Sequence, residues 1–312
     1  MFKQFLTGLG CAAILAACSP ADGHSQNAVK QSEGGVQVNM PTARGEVNFS
    51  AVPKNIAVFD LSSLDTLTAL GVKAGGTPKK VHIPYLQAAI RDTANVGTLF
   101  EPDYEALHAL HPDLIIISHR TAPKFDELIK IAPTIDVTAN SNGIVDNAFH
   151  LIDNYGKLFG KQAEAEKLHA NLQQLINETV ALAKNKGNGL MILVNGDKMA
   201  AFGPDSRFGW IHTNLGFPMA DANINSKGHG QSVSFEYLQK TNPDWLFVMD
   251  RGAAIGQEGK SAQVLLDNPL VRQTKAWKNG HVVYLSSASY LASGGVQQLQ
   301  TDIGKIKEAL NK

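Results

Sequence analysis

Cysteine is nearly absent from this chain. Its 312 residues hold 2, Cys11 and Cys18, both close to the N-terminus. Everything after them therefore lacks thiolate metal ligands and a disulfide framework, and its stability must come from core packing. Net charge is absent as well. Lys and Arg number 28 and Asp and Glu number 28, so no global field draws the chain to nucleic acid. Hydrolytic and nucleotide motifs are missing too: there is no G-x-S-x-G, no P-loop and no H-E-x-x-H. Gly228-His229-Gly230 is too short to act as a phosphate loop. The sequence reads as a protein that is not an enzyme.

What is present begins with a targeting segment. Lys3 supplies a positive n-region and Leu6 to Leu15 an apolar stretch too short to span a bilayer. Residues 1–17 read as a signal peptide ending in Leu15-Ala16-Ala17 before Cys18, which resembles the bacterial lipobox. Cleavage there would leave Cys18 as a lipidated first residue, anchoring a periplasmic protein to a membrane. The other reading is an ordinary secretory signal with an incidental cysteine. Residues 18–44, rich in Ser, Gly, Gln, Asn and Ala, read as a flexible tether, with order expected from Gly45.

The main body contains one segment twice. Residues 105–120 read EALHALHPDLIIISHR and residues 236–251 read EYLQKTNPDWLFVMDR. They align without a gap and share Glu, Leu, Pro-Asp and a final Arg. Each predicts a short helix, a proline stop, a buried strand and an arginine at the strand's end. Duplication over this distance implies two similar lobes. Strands are expected at Asn55–Phe59, Leu114–Ser118, Thr134–Val137, Leu190–Asn195, Trp245–Met249 and His281–Leu285, alternating with helices. That order predicts an α/β fold: two Rossmann-like lobes with helix-covered central sheets. Residues 145–184 read as helical with a break at Phe159-Gly160-Lys161, so one long backbone helix joins the lobes. The expected division is an N-terminal lobe over 45–160, a connecting helix over 161–186 and a C-terminal lobe over 187–312.

In open α/β sheets a ligand lies beyond the carboxyl ends of the strands. Arg120 and Arg251 close their strands, and Arg207, in GPDSRFGW shortly after Leu190–Asn195, is expected at the same edge. Three guanidiniums facing one cleft call for an anion; alternatively each pairs with a nearby carboxylate such as Asp205 or Asp250. His229 lies between glycines in NSKGHGQS and, taken alone, reads as a solvated loop histidine. Tyr290, in SSASYLASGG, is either a side chain that closes over a ligand or a packing residue at a loop base. Imidazole and phenolate together suit ferric iron. His82 and His119 read as structural or peripheral.

With the lipobox, the PDLIIISHR and PDWLFVMDR strands, PDSRFGW, GHGQS and SASYLASGG in view, the chain resembles the iron-siderophore substrate-binding lipoproteins of ABC importers. Within them it is most similar to the ferric-catecholate binders. The resemblance implies that Arg120, Arg207 and Arg251 hold catecholate oxygens and that His229 and Tyr290 ligate the iron. Two catecholates fill four of iron's six positions, so this pair implies a tetradentate ligand. No intrinsic cofactor is implied, only ferric iron carried as a siderophore complex. The resemblance further implies that Glu105 and Glu236, at the opposite end of each duplicated unit from its arginine, dock a monomeric protein onto an inner-membrane permease. The alternatives are a haem- or cobalamin-binding lipoprotein and, less well matched, a metal-dependent enzyme acting on an anionic substrate.

Overall fold

Two wholly apolar runs, Ile-Ala-Val and Leu-Ile-Ile-Ile, form the centre of the first sheet, because strands covered on both faces need no polar alternation. The computed structural model describes residues 37–139, 143–224 and 228–312. The signal segment, Cys18 and most of the expected tether lie outside the described residues. An antiparallel hairpin of β1 (Val38–Thr42) and β2 (Gly45–Phe49) comes first. Next, β3 (Ile56–Val58), β4 (Gly76–Thr77), β5 (Ala94–Asn95), β6 (Leu114–Ile117) and β7 (Thr134–Asp136) build a parallel sheet in the order β5-β4-β3-β6-β7. The second sheet contains β8 (Gly189–Asn195), β9 (Lys198–Phe202), β10 (Gln231–Val233), β11 (Trp245–Asp250) and β12 (Val282–Tyr284), ordered β10-β9-β8-β11-β12. Strands β8, β11 and β12 are parallel; β9 and β10 run antiparallel to their neighbours. The expected α/β architecture is present.

Three expectations need correction. Order begins before Gly45, since β1 is already paired and buries Met40 completely. Its polar, loop-like flanks hid it. The hairpin is held to the first sheet by Ala43 N–H donating to Asp136 O (2.8 Å) and by Arg44 Nε to Asp136 Oδ2 (3.1 Å). Second, β9 intervenes between β8 and Arg207 and turns the chain back, so Arg207 does not directly follow a parallel strand's carboxyl end. Third, the terminal helix Val296–Leu310, expected within the second lobe, packs on the first-lobe helix Leu61–Ala69 and on the connector.

The duplicated unit repeats in structural detail. Helices Tyr104–Leu110 and Phe235–Thr241 are capped by Asp103 and Ser234, which accept from Ala106 N–H and Tyr237 N–H. Each ends on a left-handed residue, His111 (φ 49°) and Asn242 (φ 46°). The shared aspartates then tie strand starts together. Asp113 accepts from Lys54 N–H (2.8 Å) and Asn55 N–H (3.0 Å), and Asp244 accepts from Asn188 N–H (3.0 Å).

The helical stretch expected over 145–184 comprises Ile144–Leu158 and the connecting helix Gln162–Ala183. They are separated at the expected place, where Gly160 adopts φ +64°. The second of them has 22 residues, about 33 Å of helix. One buried cluster runs from Val58 and Leu64 through Leu172 and Ile176 to Met191, Phe247 and Leu299. Lobes that share a core resist large hinge motions.

The terminal helix begins at Gly295 without a side-chain cap of its own. Asp65 supplies one from the other lobe. It falls one helical turn after Leu61, so its side chain points into the core. There it accepts from Gln297 N–H (2.7 Å), Gln298 N–H (3.1 Å) and the Tyr85 hydroxyl (2.5 Å). A Cβ at position 295 would lie 2.5 Å from the Asp65 carboxyl carbon, so only glycine admits this approach. Burial pushes the Asp65 carboxyl up to about 7, against the pull of these three donors. Its folded value therefore exceeds the ordinary 3.8. The stability it contributes is complete below the lower value and is lost as pH rises towards the higher one. Compared with Asp65→Asn, the wild-type melting temperature should fall as pH rises across that window. Parallel melting curves for the two proteins at every pH would contradict this.

Candidate functional site

The two sheets present their carboxyl edges to a common cavity of about 250 Å³. From the first lobe come Asp60, just after β3, and Ser118-His119-Arg120, just after β6. From the second come Arg207 and Tyr290, the latter on the short helix Ala288–Leu291 that follows β12. This is the switch-point location at which open α/β sheets bind ligands.

Tyr290 is the centre of the arrangement. The guanidinium carbons of Arg120, Arg207 and Arg251 lie 5.7, 5.4 and 5.4 Å from its ring centroid, within cation–π range. Arg120 donates to the Tyr290 carbonyl (3.1 Å) and Arg207 to the same oxygen (3.4 Å). Arg251 Nε donates to the phenolic oxygen (2.9 Å), while its Nη1 donates to Asn195 Oδ1 (3.1 Å) at the end of β8. Among the described residues none of the three arginines forms an ion pair. Burial, reinforced by the charge of Arg120, holds the Arg207 guanidinium below its usual range.

Asp205 lines the cavity without forming an ion pair to any of the three arginines, and the other two nearby carboxylates are engaged elsewhere. Asp250 caps the helix Arg251–Ala254, accepting from Ala253 N–H (3.0 Å) and Ala262 N–H (2.6 Å). Asp60, on the cavity wall, accepts from Ser62 Oγ (2.5 Å), Ser63 Oγ (2.7 Å), Ser63 N–H (2.8 Å) and Ser118 Oγ (2.5 Å). Local carboxylate pairing, the bland account of the arginines, is thus not what the structure contains. The cluster can accept an anion without first breaking a salt bridge.

The expected residues are brought together unevenly. Arg120, Arg207 and Tyr290 line the cavity, whereas Arg251 stands behind the tyrosine. His229 is exposed in a turn whose neighbour Gly228 lines the wall, and is not itself on that wall. Gly228 and Gly230, at φ +66° and +83°, set that turn. His119, read from sequence as peripheral, lies on the wall. His82 makes a contact between lobes: its carbonyl accepts from Ser287 Oγ (3.1 Å), and its ring lies where a Cβ on Gly256 would sit. Sequence reading missed Asp60 and Asn195, although both sit at strand ends, the rule that had singled out the arginines.

Glu105 and Glu236 are exposed in the first turns of their helices. In the first lobe the helix Tyr104–Leu110 runs back against β6, so the two ends of that unit meet at one sheet edge. There Thr121 Oγ donates to Leu99 O (2.7 Å) and Lys124 pairs with Glu101 (3.2 Å). These contacts join the segment entering the helix to the segment leaving β6. The glutamate is therefore at the arginine's edge, not at the opposite end.

A cationic cleft between two α/β lobes sharing one core defines a solute-binding protein. The periplasmic binding protein family profile matches residues 56–288, and the chain belongs to that family. It is 39% identical to the petrobactin-binding protein YclQ of Bacillus subtilis, over 100% of this chain and 99% of that protein. It is 33% identical to the ferric-anguibactin-binding protein FatB of Vibrio anguillarum, over 84% of each. The crystal structure of YclQ superposes with a TM-score of 0.83 at 40% identity, covering 88% of this chain and 99% of that one. The periplasmic catecholate-siderophore binding protein VctP of Vibrio cholerae superposes with a TM-score of 0.82 at 27% identity, covering 87% and 99%.

Proposed function

We propose that this chain is the siderophore-binding component of an ABC iron importer and takes a ferric catecholate in the cleft between its lobes. The observation that carries this reading is the set of three guanidiniums gathered around one phenol, none of them in an ion pair with a carboxylate among the described residues. Catecholate oxygens are compact, strongly anionic and arranged in pairs, which suits guanidinium donors. A phenolate is a hard oxygen donor of the same kind as catecholate, so Tyr290 fits a ferric centre that its ligand leaves incomplete. Relatives named for petrobactin, ferric anguibactin and catecholate siderophores support the same class.

In this reading the ligand is tetradentate, and Tyr290 with His229 completes the octahedron. Arg120 and Arg207 hold the catecholates, and Arg251 supports the phenolate. His229 reaches the iron by movement of its glycine-flanked turn. The chain has no catalytic role. It is exported, held to a membrane through lipid on Cys18, and delivers its cargo as a monomer to a permease that Glu105 and Glu236 engage.

Adding the ferric complex of a linear bis(catecholamide) should quench the fluorescence of buried Trp210 and saturate at one complex per protein. It should also give a broad charge-transfer band; a sharp Soret band on adding haem, with no response to the catecholate, would overturn the assignment. The double variant His229→Ala, Tyr290→Phe should bind the tetradentate complex at least about tenfold more weakly. Unchanged affinity would sink the tetradentate reading. Charge reversal at both glutamates, Glu105→Lys with Glu236→Lys, should abolish import in cells while leaving binding in solution intact. Normal import by that variant would count against docking through these residues.

A further inference from the structure

Tyr290 is carried on a four-residue helical turn with few bonds of its own, yet it is held from below by a single buried carboxylate. Asp302 lies on the terminal helix and is fully buried. It accepts from Ser286 N–H (2.6 Å), Ser286 Oγ (3.1 Å), Ser289 Oγ and the side-chain amide of Gln298 (2.8 Å). Ser286 and Ser289 bracket the entry to the turn, and Ser289 immediately precedes Tyr290. Gln298 braces the same point. Its amide nitrogen also reaches Ser289 Oγ (3.5 Å), its amide oxygen accepts from Gly294 N–H (2.9 Å), and its backbone N–H is one of those capped by Asp65. A polar chain thus runs from Asp65 in the first lobe through Gln298 and Asp302 to the residue before Tyr290.

A buried carboxylate is a costly way to fill space. Every bond of this one goes to the turn bearing Tyr290 or to the glutamine that braces it. From the cavity side Arg120 and Arg207 donate to the Tyr290 carbonyl, Arg120 also to the Leu291 carbonyl, Arg251 donates to the phenol itself, and the first lobe adds the Ser287 contact to His82. We propose that Asp302 is a positioning residue for Tyr290, fixing the turn so that the phenol meets the ligand's iron in the cleft. This rests on the reading of Tyr290 as an iron ligand. A metal ligand must be placed to within about half an ångström, and residues that orient metal ligands typically alter metal affinity by about 10- to 100-fold when changed.

The test compares two ferric probes, a tetradentate bis(catecholamide) complex and a hexadentate tris(catecholamide) complex that needs no protein ligand. Asp302→Asn should bind the tetradentate probe about 10- to 100-fold more weakly and the hexadentate probe as wild type does. The charge-transfer band of its tetradentate complex should move towards that of the free complex, because the phenolate drops out. In a Tyr290→Phe background the same substitution should cost nothing further, since a residue that acts through another cannot add to its loss. Equal loss on both probes, no loss on either, or a cost that persists without the phenol would overturn the proposal. Ser289→Ala removes one bond to the turn and leaves the carboxylate in place; it carries the same comparison, with a smaller loss, if Asp302→Asn does not fold. Wild type that binds neither probe would overturn the siderophore reading itself. Wild type that binds both, with Asp302→Asn and Ser289→Ala indistinguishable from it, would overturn the role of Asp302 alone.

Discussion

Like charges held side by side are the constraint around which this protein is arranged. Three guanidiniums surround one phenol ring, from two lobes and three separate loops. Their mutual repulsion could be relieved locally, because Asp60 and Asp250 are close at hand. Instead, serine hydroxyls saturate Asp60 and backbone N–H groups take both oxygens of Asp250. The ring face and the carbonyl of Tyr290 offset part of the repulsion, and no carboxylate among the described residues forms an ion pair with the three arginines. A site preorganised in this way loses no salt bridge on binding, so the ligand's charge is met at full value.

Such an arrangement persists only on a scaffold that cannot relax away from it. The core that runs unbroken from the first sheet through the connector to the second provides that rigidity. The terminal helix adds a more specific restraint. Asp65 of one lobe caps its first turn, and Asp302 from its own buried face holds the turn bearing Tyr290. The tyrosine is thus referenced to a helix that both lobes grip, while Arg120 and Arg251 are referenced to their own strands. Relative displacement of the lobes would move the arginines and the phenol by different amounts.

Much of this was legible in the sequence where the signal was local. The duplicated helices have matching limits and matching left-handed caps, and the helical stretch over 145–184 breaks at Gly160 as expected, because proline, glycine and apolar runs act on their own neighbourhood. Strands β1, β2, β5, β9 and β10 were not legible. Each is short and mixes polar with apolar residues or lacks an apolar run, so its own pattern is weak, which is the general weakness of strand signals. The two buried aspartates left a trace that went unread. Asp65 lies four residues after Leu61 and Asp302 three after Leu299, so each places an acid on the apolar face of its helix. Their partners, by contrast, could not be known before the helices were packed.

The duplication explains both the site's symmetry and its limit. Arg120 and Arg251 occupy the same position in the same unit, yet the first lines the cavity and the second stands behind a tyrosine. The difference lies in the path of the chain beyond the neighbouring strand. After β7 the chain passes into the helix leading to the connector; after β12 it forms the turn that carries Tyr290. An equivalent arginine therefore meets the Tyr290 backbone carbonyl from the cavity wall in one lobe and the Tyr290 phenolic oxygen in the other, and its chemistry changes without any change in its own residue type. Glu105 opens the helix that leads into β6 and Glu236 the one that leads into β11, so the duplication keeps their local setting alike while the arginines diverge.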